Sequence, residues 1–327
     1  MSINTIDIKI SPCVKQFYTL GTIIELKVHG PNAEKSIIEA ISKLSQIDDK
    51  MSVFKDFSEV SIINRNAGIS YCKVSDDTYF VIKRAVEYSK LSGGAFEPTI
   101  RPLVGLWGVN TDHARIPKLD EIRYYMRLIN YKDIILNDKD KSIILRNENQ
   151  QIDLGAIAKG FAADKVKDIL IENNIENAII DLGGNIYALG NKPDGALWNI
   201  GIQDPIKVRG EYVGIVSVKN KSIVTSGNYE RYFIEEGKRY HHIINPMTGA
   251  PSENDIISAT VISEYSIDGD ALTTCVYVMG IKKGLKLIES IEGTEAIFIT
   301  KDKQVYVTQG IVDTFKLTNE EYTYKTQ

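Results

Sequence analysis

The sequence predicts an α+β protein in which mixed or antiparallel sheets pack against helices. Strand-like and helix-like segments follow one another without the strict alternation that produces a parallel α/β sheet. The second half is richer in short strands, which Gly, Pro, Asn and Asp separate. The length of 327 residues is enough for about two domains, but no Ser- or Pro-rich linker divides the chain. We therefore expect two tightly apposed subdomains.

Apolar spacing and capping residues predict the elements of the first half. Asn32 can cap a helix whose apolar residues recur every three or four positions up to Ile47. Asp76 or Asp77 begins another helix, which ends near Leu91. The other regular elements are predicted to be a strand at 22–28, a helix at 120–129 and a hairpin at 134–146. In two segments, 51–68 and 92–108, polar residues, Gly and Pro interrupt the regular spacing of apolar residues. These segments are therefore predicted to be irregular.

The second half begins with a short apolar strand that leads through a glycine turn into a helix, over residues 152–170. Alternating or continuous apolar runs then predict strands. These strands cover 178–189, 197–203, 213–218, 222–225, 231–234, 239–244 and 256–263. Two helices and two final strands close the chain, near 267–279, 282–290, 295–299 and 304–308.

Composition and charge exclude several classes of protein. The 39 basic and 43 acidic residues give a formal net charge of −4, and no run of Lys and Arg is longer than two. Nucleic-acid binding is therefore not expected as the main task. No apolar run approaches the roughly 20 residues that a membrane helix needs, so no membrane span is expected. Cys13, Cys72 and Cys275 are far apart and odd in number, which predicts free thiols rather than disulfides or a zinc site.

The first ten residues, MSINTIDIKI, contain no basic region followed by an apolar stretch. The chain as written is therefore predicted to be cytoplasmic. A chain that begins after a removed signal would look the same, so an exported or lipid-anchored protein stays open as the alternative.

The segment around residues 152–164 is the first candidate for a ligand site. Gly155 and Gly160 have the spacing of a phosphate-binding loop, but Phe161 stands where that loop needs Lys. The turn can still present backbone amides to an anion at a helix N-terminus, with Lys159 adding positive charge. A plain turn with a solvated Lys is the alternative.

Two carboxylates in apolar surroundings, Asp153 and Asp270, are further candidates. If 267–279 is helical, Asp270 and Thr274 lie one turn apart on the same face. A carboxylate, a hydroxyl and a backbone carbonyl are hard oxygen ligands, which suit Mg²⁺ better than zinc. The alternative is that Asp270 interacts with the helix dipole and Thr274 bonds back to the backbone.

Histidine and aromatic residues supply the remaining candidates. If 239–244 is a strand, His241 and His242 point to opposite faces, and at most one of them faces a site as a general base. Three aromatic residues in loops can stack on a planar ligand or fill the core instead. These are Phe54, Phe96 and Trp107.

Seven segments, in order, resemble the ApbE-type flavin transferases, a family of FAD:protein FMN transferases. The resemblance covers roughly residues 18–310, flanked by an N-terminal extension at 1–17 and a tail at 311–327. The segments are MSVFKDFSEVSIIN, SGGAFEPTIRPLVGLWG, IDLGAIAKGFAADKV, DLGGNIYALG followed by DGALWNIGIQDP, TSGNYERYF, RYHHIINPMTG and DGDALTTCVYVMG.

This resemblance implies a T-fold-like α+β protein that binds FAD and Mg²⁺. It implies transfer of FMN from FAD through a phosphoester bond to a Thr or Ser of a partner protein, with release of AMP. The partner would be a redox or electron-transfer subunit.

The resemblance also implies roles for individual residues. It implies FAD binding by Phe54, Ala95, Phe96, Glu97, Asp153 and Lys159. It implies metal binding by the carbonyl of Ala156 and the side chains of Asp270 and Thr274. It implies that His242, with Asp270, is catalytic. Three positions depart from the family pattern: Leu20, Asn228 and Asn245.

Two other functions remain open. In a Mg²⁺-dependent FAD pyrophosphatase, water would replace the Thr and the products would be FMN and AMP. A flavin-binding or storage protein would have no turnover, and the metal ligands Asp270 and Thr274 argue against it.

Overall fold

A large sheet runs through the middle of the protein. The computed structural model describes residues 11–325. Within that range the sheet has nine strands, and all neighbours are antiparallel except the last pair. Their spatial order is β1 (Cys13–Thr19), β2 (Thr22–His29), β6 (Asn177–Asp181), β7 (Asn185–Leu189), β10 (Lys221–Gly227), β15 (Ile256–Ser263), β16 (Glu295–Thr300), β17 (Gln304–Val307) and β19 (Thr323–Lys325).

Helices cover one face of this sheet. Strand β2 shows why: Ile24, Leu26 and Val28 are fully buried, while Ile23, which precedes them and points to the other face, is exposed. The buried residues join one hydrophobic cluster with the helices. These helices are α1 (Ala33–Met51), α3 (Asp76–Leu91), α6 (Ala158–Glu172), α7 (Ser266–Met279) and α8 (Ile281–Glu289). Helices α6 and α7 cross each other over the centre of the sheet, where the site described below is formed.

A smaller sheet covers the opposite face. It consists of β8 (Trp198–Gln203), β9 (Tyr212–Val218) and β18 (Phe315–Leu317). Its Trp198 and Val216 share a second hydrophobic cluster with Ile223 and Ile262 of the main sheet. Both hydrophobic clusters share one sheet and pack against its two faces. The two subdomains are therefore not separated by a linker in the sequence.

Short elements surround this layered core. They are α2 (Glu59–Arg65), β3 (Cys72–Lys73), α4 (Arg101–Trp107), α5 (Leu119–Met126), β4 (Ile134–Asn137), β5 (Ser142–Leu145), β11 (Tyr232–Glu235), β12 (Lys238–His241), β13 (Ile244–Asn245) and β14 (Ala250–Pro251), with 3₁₀ turns at Tyr131–Asp133 and Gln309–Ile311. Strands β11 and β12 pair only with each other within the described chain.

The two segments predicted to be irregular each contain a helix. In the first, the Ser58 side chain accepts a hydrogen bond from the Ser61 amide and begins α2, which is too short to show an apolar period. In the second, Pro102 lies in the first turn of α4, and Gly108 ends that helix in a left-handed conformation. Proline and glycine here mark the two ends of a helix rather than its absence.

Two predicted strands also differ from the structure. The run 178–189 is a hairpin of β6 and β7, because Gly183 and Gly184 both adopt positive φ and turn the chain. The apolar residues before α6 form no strand; only Gln151 makes an isolated bridge, to Ile100. The other predicted helices and strands are found within a few residues of the expected positions, except that the predicted strand 239–244 is interrupted after His241.

The N-terminal residues on which the cytoplasmic prediction depends, 1–10, lie outside the described residues. The domain bounds at 17 and 310 stay predictions, although β1 begins at Cys13, and β18 and β19 belong to the two sheets. No helix in residues 11–325 is long and apolar enough to cross a membrane.

Candidate active site

The site is built where the N-terminal turns of α6 and α7 cross. At Gly160 a side chain has no room, because a Cβ would lie 2.3 Å from the Ser266 carbonyl oxygen and 2.7 Å from Asp270 Cβ. This close approach lets the Gly160 backbone N–H donate to Asp270 Oδ2 at 2.8 Å. The carboxylate of Asp270 therefore sits at the positive end of α6.

Helix α6 in turn supplies a carboxylate to the backbone amides of α7. Asp164 of α6 accepts hydrogen bonds from the backbone amides of Ser266 and Ile267, both at 2.9 Å. The N-cap residue of α7, Tyr265, makes no side-chain capping bond. Each helix thus supplies an aspartate to the amides of the other, which fixes their relative position.

Asp270 is 5% exposed, so its charge has little water to stabilise it. Burial raises the pKa of this carboxyl group, while the positive charge of Lys159 and the amide of Gly160 lower it. A buried carboxylate that keeps its charge needs a cation nearby, and Lys159 is one such cation.

Two oxygen atoms that the helix positions place towards this carboxylate make no hydrogen bond to the described residues, one on Thr274, a turn after Asp270, and one on Ala156, a turn before Gly160. Within the described chain, neither the carbonyl oxygen of Ala156 nor the hydroxyl of Thr274 takes part in a hydrogen bond. The Gly160 amide, which would normally bond to the Ala156 carbonyl, bonds to Asp270 instead. In the alternative interpretation, the Thr274 hydroxyl bonds back to the helix backbone. The structure shows such a bond for the neighbouring Thr273 instead, whose hydroxyl donates to the Asp270 carbonyl at 2.8 Å.

These atoms form a set of hard oxygen donors. The residues described include no group of three or more His, Cys, Asp and Glu side chains arranged for a metal ion. A cation at Asp270 would therefore depend on a carbonyl, a hydroxyl and the oxygens of a ligand or water, a pattern that suits a hard divalent ion and not zinc.

The two adjacent histidines have different surroundings. His241 ends β12 and is buried; its Nδ1 accepts from the Ile243 amide and its Nε2 donates to the Ser252 carbonyl at 3.0 Å. His242 follows the strand, and its Nδ1 donates to the Arg231 carbonyl at 3.2 Å. Because a carbonyl only accepts, this bond leaves Nε2 of His242 as the unprotonated nitrogen.

The electrostatic surroundings keep His242 neutral. Burial lowers its pKa to about 4, and the charges of Arg231 and Lys159 act in the same direction. Lys159 thus influences both His242 and Asp270. A neutral imidazole with a free Nε2 is the form that accepts a proton at neutral pH.

An exposed aromatic ring is linked to the turn before α6 through Arg101. Phe54 is 80% exposed, and the Arg101 guanidinium carbon lies 5.0 Å from the centre of its ring. Arg101 Nη1 is also 3.5 Å from Asp153 Oδ2, and Asp153 Oδ1 accepts from the Gly155 amide at 2.9 Å. Arg101 therefore connects two residues that the sequence separates by 99 positions.

The loop residues Ala95, Phe96 and Glu97 are buried. The ring of Phe96 is 2% exposed and packs edge-on against Tyr88, so its observed position fits the core-filling alternative and not stacking on a ligand. The Glu97 carboxylate accepts from both the amide and the hydroxyl of Thr99, and from the Tyr131 amide. Burial raises the pKa of Glu97, and these bonds lower it. Trp107 is also buried.

Comparison with known proteins now identifies the family, because the ApbE family model matches residues 20–298. This chain belongs to the ApbE family. It is 36% identical to a FAD:protein FMN transferase of Treponema pallidum, with 90% of this chain and 86% of that protein covered.

Solved structures of the ApbE family share the fold. The ApbE protein of Thermotoga maritima matches with a TM-score of 0.86 and 29% identity, over 93% of this chain and 99% of that one. The flavin transferase ApbE of Vibrio cholerae matches with a TM-score of 0.83 and 28% identity, over the same shares. The expected family and the α+β fold class are confirmed.

The predicted site residues of this ApbE chain fall into two groups joined by the turn at 153–160. In the first group, the charge of Lys159 acts on both His242 and Asp270, Thr274 lies one turn after Asp270 on α7, and Ala156 lies in the turn just before Lys159. Arg101 joins Phe54 to Asp153, and the Asp153 amide donates to the Pro98 carbonyl at 2.8 Å, which ties the buried loop to the same turn.

Sequence reasoning missed Arg101, Gly160 and Asp164 as parts of the site. Arg101 lies in the family-like segment 92–108, where a positive residue close to a predicted ligand loop is the available signal. Gly160 was considered only as part of a phosphate loop. Nothing in the spacing indicates that Asp164 contacts a helix that starts 102 positions later.

Two of the three departures from the ApbE pattern have clear structural consequences. Asn245 Oδ1 accepts from the Met247 amide at 2.9 Å, a bond that an Asp carboxylate would make in the same way. Leu20 adopts a φ of 51° in the two-residue turn between β1 and β2, a strained conformation for a branched side chain. The turn at Asn245 is therefore preserved, and the strain at Leu20 lies at the edge of the sheet.

Proposed function

We propose that this protein transfers FMN from FAD to a Thr or Ser hydroxyl of a partner flavoprotein and releases AMP. The observation that carries the proposal is that Lys159 acts electrostatically on two groups of complementary chemistry: the buried carboxylate of Asp270 and the neutral imidazole of His242. The similarity to a FAD:protein FMN transferase of Treponema pallidum and a flavin transferase of Vibrio cholerae supports the same reaction.

The reaction needs one bond to form and one to break. The acceptor hydroxyl oxygen attacks the phosphorus of the FMN half of FAD, the pyrophosphate P–O bond breaks, and AMP leaves. The hydroxyl proton goes to Nε2 of His242, which has no hydrogen of its own because Nδ1 carries it. Lys159 and the amides at the start of α6 would hold the phosphate charge.

A divalent cation, Mg²⁺ in our proposal, fits the oxygen donors at the helix crossing. Asp270, the Ala156 carbonyl and the Thr274 hydroxyl would hold it, since the latter two have no hydrogen bond within the described chain. When bound, such an ion neutralises the charge that develops on the pyrophosphate oxygens. Asp270 brings its negative charge to a fixed place and so reduces the reorganisation that the reaction needs.

The flavin ring would lie near Phe54, the exposed aromatic residue of the site. Arg101 occupies one face of that ring, and its contact with Asp153 holds it there. We assign FAD contacts also to the loop of Ala95, Phe96 and Glu97, through its backbone, because the side chains of the latter two are committed to the interior.

The test uses FAD, Mg²⁺ and a candidate acceptor protein with a flavinylation-type Thr, together with an acceptor in which that Thr is Val. Transfer predicts a fluorescent acceptor band on a denaturing gel, one AMP for each label, and no band for the Val acceptor. AMP and FMN without a band would instead establish FAD hydrolysis. Binding of FAD without either product would leave a flavin-binding protein.

A further inference from the structure

Asn185 is a buried polar residue for which the mechanism above has no use. It is fully buried at the start of β7. Its amide oxygen accepts from the Ser266 hydroxyl at 2.6 Å, and the Ser266 hydroxyl accepts from Ser222 at 2.9 Å. Because Ser266 receives one hydrogen and donates its own, the oxygen end of the Asn185 amide faces Ser266.

The nitrogen end of this amide is unpaired. Asn185 Nδ2 is buried and has no hydrogen-bond partner among the described residues. Ser266 lies one helical turn before Asp270 on the same face of α7, so the amide that Ser266 holds by its oxygen lies beside this face. The amide of Asn185 acts to lower the pKa of the Asp270 carboxyl group, although Nδ2 makes no hydrogen bond within the described chain.

We propose that Asn185 is a positioning residue, which orients the Asp270 carboxylate for a divalent cation and is itself held by the relay of Ser222 and Ser266. This inference rests on the cation site of the proposed function. Asp270 Oδ2 already accepts from the Gly160 amide. A second donor from β7 fixes the plane of the carboxylate, and therefore which lone pairs remain available to the ion. Native proteins rarely leave a buried amide hydrogen unpaired unless another state uses it.

The experiment measures binding of Mn²⁺, a paramagnetic probe, to the full chain by electron paramagnetic resonance. Asn185→Leu keeps a similar volume but removes the donor, and we expect its Kd for Mn²⁺ to rise about 10- to 100-fold. Ser266→Ala leaves the amide in place but unanchored, and a smaller rise in the same direction is expected. If Asn185→Leu does not fold, as judged by its melting curve, Ser266→Ala carries the test.

The matched control is Thr260→Val. The Thr260 hydroxyl is also buried and bonds to Thr225 at 2.8 Å across two strands of the same sheet. It lies on the face opposite to Asn185, because Ile262, two residues further along β15, packs against the smaller sheet, whereas Tyr187, two residues after Asn185, packs against the helices. Its Mn²⁺ affinity should equal that of the wild type, and a loss as large as that of Asn185→Leu would contradict a specific role for Asn185.

Asp270→Ala separates this inference from the function on which it rests. If the wild type and Asp270→Ala bind Mn²⁺ equally, the cation site is wrong and the role of Asn185 falls with it. If Asp270→Ala loses affinity while Asn185→Leu stays within about twofold of the wild type, the positioning role alone is wrong. In the double variant, Asn185→Leu should add nothing to the loss caused by Asp270→Ala.

Discussion

The two sides of the candidate active site are held in different ways. On the side of Asp270, two helices exchange hydrogen bonds at their N-termini, glycine permits close contact, and the carboxylate is 5% exposed. On the side of Phe54, the ring is 80% exposed and its described ring contact is with the Arg101 guanidinium. One side is part of the protein core, and the other is part of its surface.

This difference matches what each side would have to do. Groups that stabilise developing charge must be in place before the reaction, because reorganisation during it raises the barrier. A surface that receives a planar ring can adjust to the ring and needs only exposed area. We therefore expect substitutions on the core side to affect the chemical step and stability, and substitutions on the surface side to affect affinity.

The largest effect is expected from Asp270→Ala. The change removes the charged oxygen ligand, and transfer of FMN should fall below detection even at high Mg²⁺. A denaturing gel of the acceptor, with AMP measured by chromatography, checks this. Full activity of this variant in the presence of a chelator would show that no metal acts through Asp270.

His242→Ala should slow transfer by at least about 100-fold while FAD binding stays near the wild-type level. In the proposed reaction the imidazole accepts the proton of the acceptor, and binding of FAD does not require that step. Single-turnover labelling at saturating FAD measures the rate. His241 makes two hydrogen bonds in the core, so His241→Ala should instead lower the free energy of unfolding. If His241→Ala is stable but transfers FMN more slowly than His242→Ala, then His241 and not His242 is the proton acceptor.

Gly160→Ala tests the close contact of the helices. The added Cβ would overlap the Ser266 carbonyl and Asp270 Cβ, and overpacking of this kind costs about 1–3 kcal/mol of unfolding free energy. Urea denaturation measures this loss. The control is Gly155→Ala, because Gly155 is exposed and its Cβ would meet only the Asp153 carboxylate. Equal losses of unfolding free energy for both alanine variants would argue against a special contact at Gly160.

Phe54→Ala should weaken FAD binding by roughly tenfold, because stacking of a ring on an aromatic side chain contributes about 1–3 kcal/mol. Fluorescence titration with FAD measures the Kd. The unfolding free energy should stay the same, since the side chain is exposed. Phe96→Ala should instead affect stability, because this ring is buried, and we expect it to lower the free energy of unfolding by about 3–5 kcal/mol.

The smallest effect is expected from pH within the neutral range. Because the pKa of His242 is about 4, its Nε2 stays unprotonated above that value, and the rate should be level from about pH 5 to 8. The folded-state pKa lies below the usual 6.5, so the stability that neutral His242 contributes is complete above pH 6.5 and is lost as pH falls toward 4. A rate that halves near pH 6.5 would contradict this environment.

The sequence predicted the parts of the site whose signals are local. Asp270 and Thr274 share a helix face because their spacing dictates it, and the motif order was enough to predict the family. The sequence could not predict that Phe96 fills the core while Phe54 is exposed, because both stand in similar loops. It also could not predict the partners of Asn185, Asp164 and Gly160, which come from segments far along the chain.

The exchange of hydrogen bonds between α6 and α7 also has a consequence for how the protein is made. The bonds from Gly160 to Asp270 and from Ser266 to Asp164 join residues 110 and 102 positions apart. A growing chain that has left the ribosome only as far as the middle strands contains Lys159 and α6 but none of α7. Closing a loop of this length is a late, slow step of folding. The proposed cation site would therefore arise only with the completion of the fold, and we expect a nascent or truncated chain that lacks α7 to be inactive.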